Sequence, residues 1–423
     1  MKKKLFVFVA LISLLLTGCQ AGSHETAPSD TSHGQESEAS AKASLYVPDI
    51  QFFGALAYGN GNGARTENGF YTIERQTAEY GTLRYIDFST KTSFPVCSRP
   101  ECTHQDESCT SYFNWYGAFP FLAASSEHLI FVMPNGGNAF PNLQIADLNG
   151  ANRKTIHTFT AQENIQLGIA CSEESVYMVR KTIDDLAVKT DLCEISLNDG
   201  KVTRSIPLPP GDSFICGAQG QYLIVSCYSL PENGELYSDS QTNTFMCFDM
   251  ASGTSIHQME LPLRTPAGVV QNIVEGTVLY SYSPADDMLS QIDLKTAAAV
   301  GKTGPVWNNK IQMGQLDSVL DGKVLCSEFF EGSDELMCAW VDISTGEKSE
   351  LTLMGEYGKG SGRTFPVIPM FSVGDEILVV NNCETKEMLL ANGMPAGLLI
   401  PNFAFISKTD YMANAANYEE IER

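Results

Sequence analysis

Positive charge is scarce in this chain: 27 Lys and Arg stand against 50 Asp and Glu, for a formal net charge of −23. A surface of that sign repels phosphate backbones and anionic headgroups, so nucleic acid is not an expected partner. The plain reading of the acidity is solubility. Histidine is scarce as well, with six residues. There is no Gly-x-Ser-x-Gly elbow, no His-Glu-x-x-His pair and no phosphate-binding glycine loop. Gly59-Asn-Gly-Asn-Gly63 has no strand-to-helix context and reads as a loop. No catalytic or cofactor-binding residue set is therefore expected. Long helical periodicity is absent. Twelve cysteines in 423 residues are too sparse for a disulfide scaffold of the kind that staples short secreted domains. Cys171, Cys193, Cys216, Cys227, Cys247, Cys326, Cys338 and Cys383 fall in or beside expected strands, where the thiol acts as a small buried hydrophobe.

The N-terminus carries an address. Met1-Lys-Lys-Lys4 precedes Leu5–Leu16, apolar except for Ser13, and then Leu16-Thr-Gly-Cys19. This order of charge, apolar core and small residues is that of a signal peptide, here residues 1–18, and the apolar run falls short of the roughly 20 residues a spanning helix needs. Leu-Thr-Gly-Cys resembles the lipobox of bacterial lipoproteins, which implies that the Cys19 thiol is acylated and that the chain is anchored on the extracytoplasmic face of the cell membrane. From Gln20 to Ser44 there is no aromatic residue, leucine, isoleucine or valine, and His24 and His33 lie in this stretch. Such a segment cannot bury enough apolar surface to fold. Residues 19–44 are expected to be a flexible tether reaching about 25 to 30 Å.

The whole chain is 43% apolar, and within residues 45–423 the apolar residues are patterned. Met337-Cys-Ala-Trp-Val-Asp342-Ile-Ser-Thr-Gly346 is a short strand running into an Asp-x-x-x-Gly turn. Looser copies end at Asp87, Asp147, Ser196, Asp249, Asp293 and Ser407, 44 to 65 residues apart. A period in this range marks propeller blades or solenoid coils. Each copy is preceded by two apolar strands joined by a tight turn, as at Asp321-Gly322, and followed by a more polar strand such as Glu347–Leu353. Apolar inner strands and a charged outer one are what a radial blade requires. The fold class is thus all-β: one β-propeller domain, 45–423, of seven four-stranded blades. Tyr46–Phe53 is expected to close the ring by pairing with the blade built from residues 375–423.

One chemical constellation stands out: Cys97, Cys102, His104 and Cys109, spaced C-x4-C-x-H-x4-C. Three thiols and an imidazole complete a tetrahedral zinc shell, and a full protein shell is structural because it leaves no position for a catalytic water. A disulfide with one leftover thiol and an inert polar loop are the competing readings. Tyr112–Phe121 follows, the most aromatic stretch in the chain and an expected connector from the first blade to the second. Its Trp115 and Tyr116 could stack on a sugar ring or anchor a peptide, or pack the insertion onto the blade.

The lipobox, the seven Asp-turn copies, the Cys/His element and the ending Phe405-Ile-Ser-Lys-Thr-Asp-Tyr411 together resemble a group of β-propeller lipoproteins of anaerobic Gram-positive bacteria, similar at fold level to TolB-like and YWTD-like propellers. The resemblance covers the mature domain and implies fold and location, with no catalytic residues to carry over. The expected function is a monomeric, membrane-tethered binding or scaffold module for a protein, peptide or carbohydrate. The alternative is an extracytoplasmic hydrolase or lyase on carbohydrate or peptide, assembled at the central funnel from residues such as Arg84, Asp317 and Arg363.

Overall fold

The computed structural model describes residues 47–54, 63–77, 80–99, 101–114, 120–133, 140–184, 187–230, 240–307, 311–330, 336–358, 360–389 and 395–423. The signal segment, the tether with Cys19, and Trp115 and Tyr116 lie outside the described residues.

Seven antiparallel sheets built on four strands each, two of them with a fifth strand added, follow one another in chain order around a ring, a seven-bladed β-propeller. Blade 1 holds Ala64–Arg65, Gly69–Arg75, Tyr80–Asp87 and Thr92–Pro95, and blade 2 holds Phe121–Ala124, His128–Met133, Asn142–Asp147 and Lys154–Thr158. Blades 3 to 6 repeat the order over 163–207, 212–262, 271–303 and 311–351. Blade 7 is Pro369–Val373, Glu376–Leu389, Pro395–Ser407 and Glu419–Glu420. Every copy of the sequence repeat is the third strand of its blade.

The chemistry of the repeat is local. Asp342 Oδ1 accepts from the backbone N–H of Ser344 (2.9 Å) and Thr345 (3.1 Å) and from Ser344 Oγ (2.6 Å), and Gly346 N donates to Asp342 O (2.8 Å). Asp87 and Asp249 accept in the same way from the two residues that follow their neighbours. The carboxylate therefore turns the chain by satisfying its backbone donors. Serine at positions 196 and 407 serves with its hydroxyl, which accepts from Asn198 N (3.3 Å) and Asp410 N (2.9 Å).

Second and third strands are covered on both faces. Leu129, Ile130, Phe131 and Val132 of blade 2 are all fully buried, whereas the fourth strand of blade 4, Thr254–Pro262, is exposed along most of its length. Fourth strands also staple neighbours: His157 of blade 2 lies 2.8 Å from Gly200 O in blade 3, and Arg204 of blade 3 donates to Met250 O of blade 4 at 2.6 Å.

One expectation needs correction. Gln51–Phe53 does not join the last blade; it pairs antiparallel with the inner strand of blade 3, Gln51 opposite Cys171 and Phe53 opposite Ile169. Ile50 N donates to Gly220 O of blade 4, and Ile50 and Phe53 are buried there. Ile50 joins an apolar cluster with Ala170, Tyr177, Ile215 and Leu223, and Phe53 one with Ile169 and Cys171, so both find cover at blades 3 and 4. The ring closes instead through its outer rim and core. Glu422 forms a parallel bridge with Thr92, and Ser93 N donates to Glu422 O at 2.6 Å. Inside, Phe70 and Ile86 of blade 1 pack on Leu378 and Phe405 of blade 7. The aromatic stretch leads from blade 1 to blade 2 as expected, and its start, Tyr112–Asn114, also pairs with Tyr80–Thr82 to extend the outer edge of blade 1 before Phe121 opens the inner strand of blade 2.

Candidate functional site

The outer edge of blade 1 is one strand interrupted. Thr92–Pro95 pairs with Arg84–Asp87, and Tyr112–Asn114 pairs with Tyr80–Thr82 on the same partner strand. Residues 96–111 bulge out between them. Leu83 pins both ends of this insertion: its carbonyl accepts from Val96 N at 2.9 Å, and its N–H donates to Ser111 O at 2.7 Å.

The insertion is where the four predicted ligands meet. One donor atom from each of Cys97, Cys102, His104 and Cys109 lies within 4.8 Å of the others. A tetrahedral zinc with metal–sulfur bonds of about 2.3 Å sets ligand atoms roughly 3.5 to 3.8 Å apart, so the cluster is slightly wider than a filled shell and could hold a metal ion. Short turns bring the ligands in: Cys102 N donates to Arg99 O (3.3 Å), Cys109 N to Asp106 O (3.0 Å), and His104 takes a positive φ of 57°. Asp106 Oδ1 accepts from Ser108 N at 2.9 Å and fixes the turn into Cys109. His104 presents Nδ1, 3.2 Å from Cys109 Sγ, and Ser111 Oγ lies 3.0 Å from that sulfur. Arg99 Nη2 donates to Cys102 Sγ at 3.1 Å.

The electrostatics favour a thiolate at Cys97, while at Cys102 the His104 backbone N–H, which lowers the thiol, is outweighed by burial and by hydrogen bonds with Cys109 and Cys97, which raise it. Burial works to raise the Cys97 thiol, but the backbone N–H of Arg99 and hydrogen bonds from Cys109, Cys102 and the Arg99 guanidinium outweigh it and bring it down to about 7. All three sulfurs are unpaired. Soft thiolates with one imidazole are a zinc donor set, and a shell of four protein ligands is closed to substrate.

Blade 2 holds the insertion from outside. Arg153 Nη1 donates to Tyr112 O (3.0 Å) and Nη2 to Thr110 O (2.6 Å), while the guanidinium lies 4.5 Å from the Phe113 ring centroid. Thr110 Oγ1 donates to Val96 O at 2.8 Å. Gly150, at φ 80°, lets the Asp147 turn approach, because a Cβ there would stand 3.1 Å from Val96 O. Sequence reasoning missed Arg153, Ser111 and Arg99. Only Arg99 carried a signal, as the one cation inside the Cys/His run.

The residues considered for catalysis are dispersed. Asp317 is on a bulge of the inner strand of blade 6, and burial pushes its carboxyl up to about 6 against hydrogen bonds from Ser327 and Gln315. Arg363 lies in the loop before Thr364–Pro366, its guanidinium 5.6 Å from the Tyr357 ring. Arg84 belongs to blade 1 and lines a cavity of about 300 Å³ between blades 7 and 1, together with Glu74, Arg75, Phe403, Glu420 and Arg423.

No protein-family model matches the chain, and no curated protein sequence matches it. Among solved structures it is similar to the β-propeller domain of the trilobed protease from Pyrococcus furiosus, with 12% identity, 88% of this chain and 99% of that chain covered, and a TM-score of 0.45. It is also similar to prolyl oligopeptidase B from Galerina marginata (11% identity, 86% and 47% covered, TM-score 0.42) and to AztD from Citrobacter koseri (12%, 72% and 72%, TM-score 0.38).

Proposed function

We propose that this protein is a recognition module: a β-propeller held at the extracytoplasmic face of a membrane by a lipid on Cys19, with one structural zinc bound by Cys97, Cys102, His104 and Cys109. The observation that carries the reading is the closed Cys3His set built into an insertion of an outer strand. Its ligands are spent on fixing a loop at the rim, which is useful for presenting a surface and offers no open position for Lewis-acid chemistry. The Leu-Thr-Gly-Cys19 box and the polar segment after it support the anchor. When bound, zinc would supply cross-linking energy; the chain itself supplies Leu83, Arg153 and Thr110 to orient the loop.

The test is made in the native membrane. Cells fed an alkyne fatty acid incorporate it into the wild-type chain and not into Cys19→Ser, and a carbohydrate or peptide captured by the purified protein is recovered with its mass unchanged. A Cys19→Ser chain labelled like wild type would remove the anchor. A captured ligand returned as cleaved product would make the protein an enzyme.

A further inference from the structure

The cavity between blades 7 and 1 gathers cations on a chain that has few. Arg75, Arg84 and Arg423 all line it, although Lys and Arg number only 27 against 50 acidic residues. Arg84 is largely withdrawn from water, its side chain 13% exposed, and neutral groups brace it: Nε donates to Ser93 Oγ at 3.0 Å and Nη2 to Ser93 O at 2.8 Å. Arg423 is braced from the other wall, with Nη2 donating to Pro401 O (2.9 Å) and Asn402 Oδ1 (2.7 Å).

Both guanidiniums point their charge at one atom. Glu74 Oε2 lies 3.7 Å from Arg84 Nε and 3.9 Å from Arg423 Nη1, both beyond hydrogen-bond length. Its partner oxygen, Oε1, accepts from Gln76 at 2.8 Å. Two cations thus share one carboxylate through ion pairs longer than hydrogen bonds, which leaves the pair of guanidiniums with more positive charge than Glu74 balances. The other carboxylates of the lining sit exposed and are held by amides: Asn381 Nδ2 donates to Glu420 at 2.6 Å and Asn402 Nδ2 to Glu384 at 3.4 Å. Ile73, Leu399 and Phe403 give the cavity an apolar wall. A buried cation, Arg84, and a partly exposed one, Arg423, opposite an apolar wall in a cavity at the small end of ligand-site volumes are the elements of a site for a compact anion.

We propose that the cleft between blades 7 and 1 binds a small organic carboxylate, whose oxygens are received by Arg84 and Arg423 while its carbon skeleton lies on Phe403 and Leu399. This rests on the reading of the protein as a recognition module and names the chemistry that it recognises. A carboxylate of this size is carried by a sugar acid or by the C-terminal end of a peptide, and the two sources separate in solution.

Isothermal titration calorimetry on the full, metal-loaded chain uses four probes: glucuronate, glucose, N-acetyl-dialanine and its neutral amide. One carboxylate probe binds in a 1:1 ratio and its neutral counterpart does not; glucuronate binding assigns a sugar acid, and dipeptide binding assigns a peptide end. Arg423→Gln weakens the binding at least tenfold, and Lys201→Gln, at a cation in the turn before the outer strand of blade 3, leaves it as it was. Arg84→Gln weakens it too and is read only if its melting temperature matches wild type, since Arg84 also braces Ser93. The proposal is overturned if neither carboxylate binds, if the neutral probes bind as tightly, or if Arg423→Gln binds like wild type. None of these failures touches the lipid label or the metal content, so the recognition reading would stand or fall separately.

Discussion

Asp317 shows what burial costs a single carboxylate. Its pKa in the folded chain, about 6, stands above the ordinary value of 3.8 because burial disfavours the charged form. The folded state therefore holds a proton that the unfolded chain releases between those values, and stability declines as pH rises from about 4 to 6 and is flat above. Asp317→Asn removes the decline and stabilises the protein at pH 7 by on the order of 2 to 3 kcal/mol; urea melts of both chains at pH 4 and pH 7 check it. Asp87 behaves oppositely. Hydrogen bonds from Ser89 and from Thr90 N hold its carboxyl below the usual value, so its contribution is present above that value and is lost as pH falls through the depressed one. Asp249→Ala, which removes acceptors for Ala251 N, Ser252 N and Gln221 Nε2, is expected to cost about 1 kcal/mol in a urea melt at pH 7.

At the scale of the element, the glycine that ends the repeat has two duties. Gly200 takes a φ of 69° and brings its turn so close to blade 2 that a Cβ would stand 1.8 Å from Ile156 O. Gly200→Ala must move one blade off the other, and its destabilisation is expected to reach about 2 kcal/mol or more, read as a lowered urea midpoint. The turn itself was legible, because Asp or Ser followed by polar residues and glycine is a local signal. The insertion in blade 1 was legible only in part. Cys97, Cys102, His104 and Cys109 announce themselves by residue type, but that residues 96–111 interrupt a single strand depends on Leu83 bonding both ends, a non-local pairing with no mark in the sequence. Arg153 was invisible for the same reason: its partners, Thr110 and Tyr112, are some forty residues distant.

For the whole molecule, the ring was readable from the period of its apolar strands, while the manner of its closure was not. Tyr46–Phe53 has the pattern of an edge strand, and pattern alone cannot choose between blade 3 and blade 7; the choice is made by Ile50 and Phe53 finding burial against blades 3 and 4. Closure falls to the Phe70, Ile86, Leu378 and Phe405 cluster and to the short bridge between Thr92 and Glu422. Phe70→Ala opens that seam and is expected to cost about 3 to 5 kcal/mol, with hydrogen exchange accelerating first in blades 7 and 1. An even loss around the ring would mean that the seam is not the weak joint. A metal bound in the insertion would brace the outer edge of the same blade. Native mass spectrometry of the anaerobically purified chain, followed by thiol alkylation, tests the metal centre most directly. The expected result is one zinc per chain, absent from Cys109→Ser, with Cys97, Cys102 and Cys109 alkylated only after chelation. A metal-free chain whose three thiols react at once would contradict it.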